Sequence, residues 1–143
     1  SAHVPTTCQR VFGDDTVRVF DGGNATVWAS FFSEINRPNT LLSTFKFGML
    51  GAGVSQALAA RIAKPDAQVV CIIGDGAMGF HIQELETALR NELPVIYLVL
   101  CDKQWGMVGH GENHAVDWAG YAAARHRDGT ARHHQRRLRR DRV

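Results

Sequence analysis

Two apolar runs constrain this chain most: "AQVVCII" at 67–73 and "VIYLVL" at 95–100. Each is short and nearly continuous, the form taken by a strand buried on both faces of a parallel sheet. About twenty residues separate them, which suits a crossover through a helix and excludes a tight hairpin. The intervening segment supplies that helix. Ile82, Leu85 and Leu89 recur at i, i+3 and i+7, Glu86 and Arg90 are spaced as an exposed ion pair, and Pro94 follows. Upstream, "FGMLGAGVSQALAARIAKP" (47–65) begins glycine-rich and becomes helical, with Val54, Leu58 and Ile62 four apart and Pro65 as the stop. "TVRVF" (16–20) alternates like a short strand, "DGGN" (21–24) is a turn, and "ATVWASFF" (25–32) opens a helix that "RPNT" (37–40) breaks. The expected fold is α/β, a parallel sheet flanked by helices on both faces, without internal repeats.

Composition sets the limits. With 143 residues, 45% of them hydrophobic, the chain has the material for one cored domain. Its net charge of +2 is unevenly spread: residues 125–143 carry eight arginines against two aspartates, so the body is mildly acidic. That tail reads as a solvated extension outside the core. It interleaves no aromatic residues to stack on bases, which argues against a nucleic-acid surface. The expected organisation is a weakly patterned segment at 1–19, a domain at 20–124, with a short helix in "AVDWAGYAAA" (115–124), and the Arg-rich tail at 125–143. No apolar run reaches membrane-spanning length and no signal peptide is visible. Cys8, Cys71 and Cys101 fall in no metal-ligand spacing, and neither do His81, His110 and His114. Reduced cysteines and a cytoplasmic location are expected.

The chemistry gathers where the two apolar runs end. In an open parallel sheet, ligands bind beyond the carboxyl ends of the strands. One run stops at Gly74-Asp75-Gly76, the next at Cys101-Asp102-Lys103-Gln104. If the strands are neighbours, Asp75 and Asp102 converge at one edge as hard oxygen ligands, suited to Mg²⁺ or Ca²⁺. Gly76, Ala77 and Met78 open the following helix, where free N–H groups favour an anion. A hard cation beside an anion cradle is a means of holding a diphosphate.

The segment "GDGAMGFHIQELETALRNELPVIYLVLCDKQWGMV" resembles the diphosphate-binding motif of thiamine diphosphate enzymes: Gly-Asp-Gly, about two dozen residues, then usually Asn-Asn. Here 24 residues separate Gly76 from Cys101, so Cys101-Asp102 stand at the Asn-Asn place. The lead-in "FGMLGAGVSQALAARIAKPDAQVVCIIGDG" is similar to that of acetolactate synthase, benzoylformate decarboxylase and pyruvate oxidase relatives, and the likeness covers about residues 20–124. The resemblance implies that Asp75 and Asp102 bind Mg²⁺ through their carboxylates and Gln104 through its carbonyl. Gly74 and Gly76 shape the turn, the Ala77 and Met78 amides contact the diphosphate, and Asn24 reaches the same group. In "GMLG", Leu50 wedges the cofactor into its bent form, while the Gly48 carbonyl and Leu50 amide meet the aminopyrimidine edge. The implied reaction is cleavage or carboligation at the C–C bond of a small 2-keto acid, through an enamine.

Two departures qualify this resemblance. Asp102 replaces the usual Asn and adds a negative charge beside an anionic cofactor, unless Lys103 offsets it. The chain also lacks the family's pyrimidine-binding domain, which carries the glutamate that protonates the aminopyrimidine. The Arg-rich tail stands where the family has a further strand and helix. A separate pyrimidine-binding domain or subunit, a homo- or hetero-oligomer, and a chain inactive alone are therefore expected. Two alternatives stay open. "GMLGAG" with Asp75 downstream imitates an NAD(P)-binding fingerprint, although its glycines run G-x-x-G-x-G. A folded remnant that catalyses nothing is the other.

Overall fold

A computed structural model describes residues 3–103 and 106–107. Helix α1 (His3–Val11) is followed by β1 (Val17–Phe20), α2 (Gly23–Phe32), β2 (Leu41–Ser43) and α3 (Ala52–Ala63). Then come β3 (Val69–Gly74), α4 (Asp75–His81), α5 (Glu84–Arg90) and β4 (Ile96–Leu100). All strand pairs are parallel, in the order β2-β1-β3-β4. The sheet is thus the one the two apolar runs imply, with β3 and β4 as direct neighbours.

Strand alternation sorts the core into two layers. Val17, Val19, Val69, Cys71 and Ile73 face one side, where they meet Val54, Ala57 and Ala60 of α3 and Ala77 and Met78 of α4. Phe20 and Ile72 face the other, against Cys8 of α1 and Ala25 and Ala29 of α2. Helices therefore cover both faces. The weakly patterned residues 1–19 contain α1 and most of β1, and α1 packs on α2. β2, short and exposed, is an edge strand. No helix among the described residues is long and apolar enough to cross a membrane.

Three helical details differ from the sequence reading. In α3 the four-residue series stops at Leu58. Ile62 is 66% exposed, and small residues (Gly53, Ala57, Ala60) make the packed face instead. Small residues let the helix approach the sheet closely, and their weak hydrophobicity hides that face from a periodicity count. The helix after Gly-Asp-Gly is two helices. They are joined by a tight turn in which Leu85 N–H donates to the Ile82 carbonyl and Glu86 N–H to that of Gln83, both at 3.1 Å. Ile82, Leu85 and Leu89, expected to form one packed face, are all exposed, Leu89 by 81%. Trp28 stacks on Phe32 at the surface, ring centroids 5.8 Å apart. Gln104, the helix expected at 115–124 and the tail at 125–143 lie outside the described residues.

Candidate cofactor-binding site

Four parallel strands bring four loops to one edge. The connection after β1 leads to α2 on one face, and that after the adjacent β3 leads to α4 on the other. This reversal leaves a crevice outside the β1 and β3 ends, where open α/β sheets bind ligands.

The crevice is built around Asp21, directly after β1. Its side chain is fully buried. The Gly51 amide donates to Asp21 Oδ2 at 2.9 Å and the Gly53 amide to Oδ1 at 2.6 Å. These amides open α3 and lack partners within it. Gly51, at the N-cap with φ +86, has no side chain to cap them. Asp21 caps the helix from another strand, with a negative charge at the positive end of its dipole. The neighbouring turn is packed as closely. A Cβ on Gly22 would fall 2.6 Å from the Gly48 carbonyl oxygen and 2.8 Å from that of Met49. A Cβ on Gly51 would fall 2.5 Å from His81 Nδ1 and 3.1 Å from the Ala77 carbonyl oxygen. The 48–53 backbone is therefore held between the β1 turn and α4.

Leu50 packs partly on the core, with its Cδ2 3.3 Å from where a Cβ on Gly23 would lie. Met49 is 51% exposed. Asn24 and Asp102 meet at Gly106: a Cβ there would lie 2.9 Å from Asn24 Nδ2 and 3.3 Å from Asp102 Oδ2. Ala77 and Met78 are buried in the core, so their side chains are not available to the crevice. Gly74 has ordinary extended geometry, φ −78 and ψ 157, and a Cβ on it would meet nothing within 4 Å. Its expected role in turning the strand does not require glycine. What the missing side chain leaves is open space at the strand end.

Asp75 opens α4, half-buried. The Cys101 thiol donates to its Oδ2 at 3.4 Å, and the Lys103 amide donates to the same atom at 3.2 Å. Burial alone would raise its pKa. Hydrogen bonds from Cys101 and from the backbone amides of Gly76, Lys103 and Asp75 itself outweigh that and hold it below the usual carboxylate value. The carboxylate is thus kept ionised and tied to the β4 loop that carries Asp102. Cys101 is exposed and bonded to Asp75. Among the described residues no three His, Cys, Asp or Glu side chains converge. Two carboxylates and little else suit Mg²⁺, which takes one or two carboxylates and completes its shell with phosphate and water oxygens. They do not suit a closed zinc site.

Residues 21–134 match the family model described as thiamine pyrophosphate enzyme, C-terminal TPP binding domain. The chain belongs to this family. The domain's cofactor is thiamine pyrophosphate, the thiamine diphosphate of the motif above. The chain is similar to 2-hydroxyacyl-CoA lyase 2 of Bos taurus, 36% identical over 66% of this chain and 15% of that protein. It is similar to acetolactate synthase isozyme 3 large subunit of Escherichia coli K12, 34% identical over 71% of this chain and 18% of that one. Among solved structures, this thiamine pyrophosphate-binding domain resembles the thiamine diphosphate-dependent 4-hydroxybenzoylformate decarboxylase of Rhodococcus jostii RHA1, with TM-score 0.74 and 22% identity. That match covers 82% of this chain and 22% of the other. A putative thiamin diphosphate-dependent enzyme of Mycobacterium smegmatis gives TM-score 0.66 at 24% identity, covering 73% of this chain and 21% of that one. The domain therefore spans under a fifth of the curated relatives' length.

Of the residues expected at the site, Asn24, Gly48, Leu50, Gly74, Asp75, Gly76, Ala77, Met78 and Asp102 lie on loops or helix starts at this one edge. Sequence reasoning missed Asp21, Gly22, Gly51, Gly53 and Gly106 as builders of the site. Asp21 was in view inside "DGGN", but a turn signal gives no hint that its carboxylate reaches amides 30 and 32 residues away.

Proposed function

We propose that this domain holds thiamine diphosphate through Mg²⁺, as the pyrophosphate-type part of an acetolactate synthase- or 2-keto acid decarboxylase-like enzyme. The supporting observation is the placement of Asp75 and Asp102 after the neighbouring parallel strands β3 and β4, with the Lys103 amide bonded to Asp75. Asp75, Asp102 and the Gln104 carbonyl take the metal. The turn at Gly74 and Gly76, the Ala77 and Met78 amides and the Asn24 side chain take the diphosphate. The Gly48 carbonyl and Leu50 amide take the aminopyrimidine edge, and the Leu50 side chain supports the bend between the two halves. The bound cofactor supplies the nucleophilic carbon for breaking or joining a C–C bond beside a keto group, as on a small 2-keto acid. A pyrimidine-binding domain or subunit completes the centre in a homo- or hetero-oligomer, and the chain alone is inactive. Likeness to 2-hydroxyacyl-CoA lyases supports a second substrate class, 2-hydroxyacyl thioesters, for the same cofactor. Free cysteines at Cys8, Cys71 and Cys101 fit a reducing compartment such as the cytoplasm.

Calorimetric titration with thiamine diphosphate tests the binding reading. Saturable binding that requires Mg²⁺, is reversed by chelation and falls at least tenfold in Asp75→Asn is expected. NADH binding in its place, or an unaltered Asp75→Asn titration, defeats the reading.

A further inference from the structure

We propose that Asp21 is a positioning residue for the cofactor: it sets the backbone that receives the aminopyrimidine end and leaves the diphosphate end alone. This rests on the binding reading above. Asp21 lies at the C-terminal end of β1, 0% exposed, and both carboxylate oxygens are engaged by amides of the 48–53 segment. That segment carries Gly48 and Leu50. Its preceding turn closes on Thr44, whose carbonyl accepts from the Phe47 amide at 2.9 Å and the Gly48 amide at 3.0 Å. Gly48 therefore sits between two fastenings, the Thr44 turn behind it and the Asp21 carboxylate ahead. Gly22 adds a steric stop, because its Cα backs directly onto the Gly48 and Met49 carbonyls. Gly53 shows how closely the clamp is fitted. A Cβ there would lie 2.9 Å from both Asp21 Cβ and Asp21 Oδ1.

The diphosphate end has separate fastenings. Asp75 is bonded by Cys101 and Lys103, while Asp21 is bonded by Gly51 and Gly53, so among the described residues the two carboxylates share no hydrogen-bond partner. Loosening 48–53 should therefore affect one half of the ligand. Asp21→Asn is the isosteric probe. Its amide oxygen still accepts one N–H, but its NH₂ group faces the other, donor against donor. Gly22→Ala moves the same carbonyls from outside without touching Asp21. Both variants of the full chain, with wild type and Asp75→Asn, are titrated with thiamine diphosphate and, separately, with inorganic pyrophosphate, each with Mg²⁺. Hydrogen exchange of the Gly51 and Gly53 amides is followed in parallel.

The expected result is thiamine diphosphate affinity at least tenfold weaker in Asp21→Asn and in Gly22→Ala, with pyrophosphate affinity within twofold of wild type. The Gly51 and Gly53 amides should exchange faster in Asp21→Asn. Asp75→Asn should weaken both ligands. Unchanged thiamine diphosphate binding in Asp21→Asn overturns the proposal while leaving the binding reading intact. Equal loss of both ligands in the two β1-turn variants also overturns it, since Asp21 would then support the whole fold and not one half of the site. Wild type binding neither ligand overturns the binding reading and this proposal with it.

Discussion

Two aspartates follow two neighbouring parallel strands, each flanked by glycine, and they end in opposite situations. Asp21 after β1 is fully buried, with each oxygen taken by an amide of the chain itself. Asp75 after β3 stays half-exposed, with a thiol and an amide on one oxygen. The first is consumed by structure. It caps α3 and fixes the 48–53 loop, and its complete burial leaves no approach for a ligand. The second is held in place but still open toward the crevice. Similar sequence at equivalent strand ends thus divides into a residue spent on the fold and one left accessible for the metal role proposed above. The deciding difference is what lies opposite: the start of a twelve-residue helix for Asp21, and the β4 loop for Asp75.

The largest effect that could break this contrast is on stability. Asp21→Ala leaves two buried amides unpaired and removes a carboxylate from a helix N-terminus. Bonds to charged groups contribute about 1.5–3 kcal/mol each, so a loss of about 3–5 kcal/mol in urea unfolding is expected. A loss below about 1 kcal/mol would mean that water or a shifted loop replaces the clamp, and Asp21 would no longer be the structural member of the pair.

How much of this was legible in the sequence follows from the range of each interaction. β3 and β4 were legible because a doubly buried strand needs an apolar run, and the length of the crossover implied that they run parallel; that they are direct neighbours came from the structure. The placement of Asp75 and Asp102 just beyond those strands was legible for the same reason. Asp21 was not, because its partners depend on where β2 and the 44–51 turn lie, and β2 is a three-residue edge strand with little pattern. The exposed sides of α4 and α5 misled for a related reason. Apolar spacing identifies one side of a helix but not what covers it. Leu85 and Leu89 repeat as a core face does, while the contacts actually buried come from Ala77 and Met78. Small residues pack closely and signal weakly.

An intermediate effect uses Cys71 as a reporter on the buried side of the comparison. Burial, and after it the charge of Asp21, push the Cys71 thiol up to about 12. The folded chain therefore keeps it neutral while the unfolded chain ionises it near the ordinary thiol value. Stability is full below about pH 9 and is lost progressively as pH rises toward about 12. Urea unfolding of wild type and Cys71→Ala across that range should show a flatter alkaline decline in the variant. Asp21→Asn should lower the pH at which Cys71 becomes reactive toward a thiol reagent. Tyr97, raised by burial to about 12, contributes a parallel loss that both proteins share. Identical alkaline slopes in wild type and Cys71→Ala would show that Cys71 and its neighbour Asp21 are less buried than described.

The smallest effect belongs to Asp75, and its smallness is what the comparison requires. Its pKa is depressed, so whatever stability it contributes is present above the ordinary carboxylate value and fades as pH falls through the depressed one. The bonds responsible lie in a solvent-accessible place, where screening keeps such contributions low. Thermal melts of Asp75→Asn near neutral pH should coincide with wild type within the scatter of replicates. Only below the usual carboxylate range should the curves have any residual difference to lose. In the presence of Mg²⁺ and thiamine diphosphate the pattern should reverse: the wild-type melt moves up with ligand concentration and the variant moves far less at the same concentrations, because a ligand stabilises only the state that binds it. Asp21→Asn should behave the other way, with a lowered melt before any ligand is added. If Asp75→Asn alone cost as much stability as Asp21→Asn, the two aspartates would not differ in kind, and the distinction between building the site and serving it would fail.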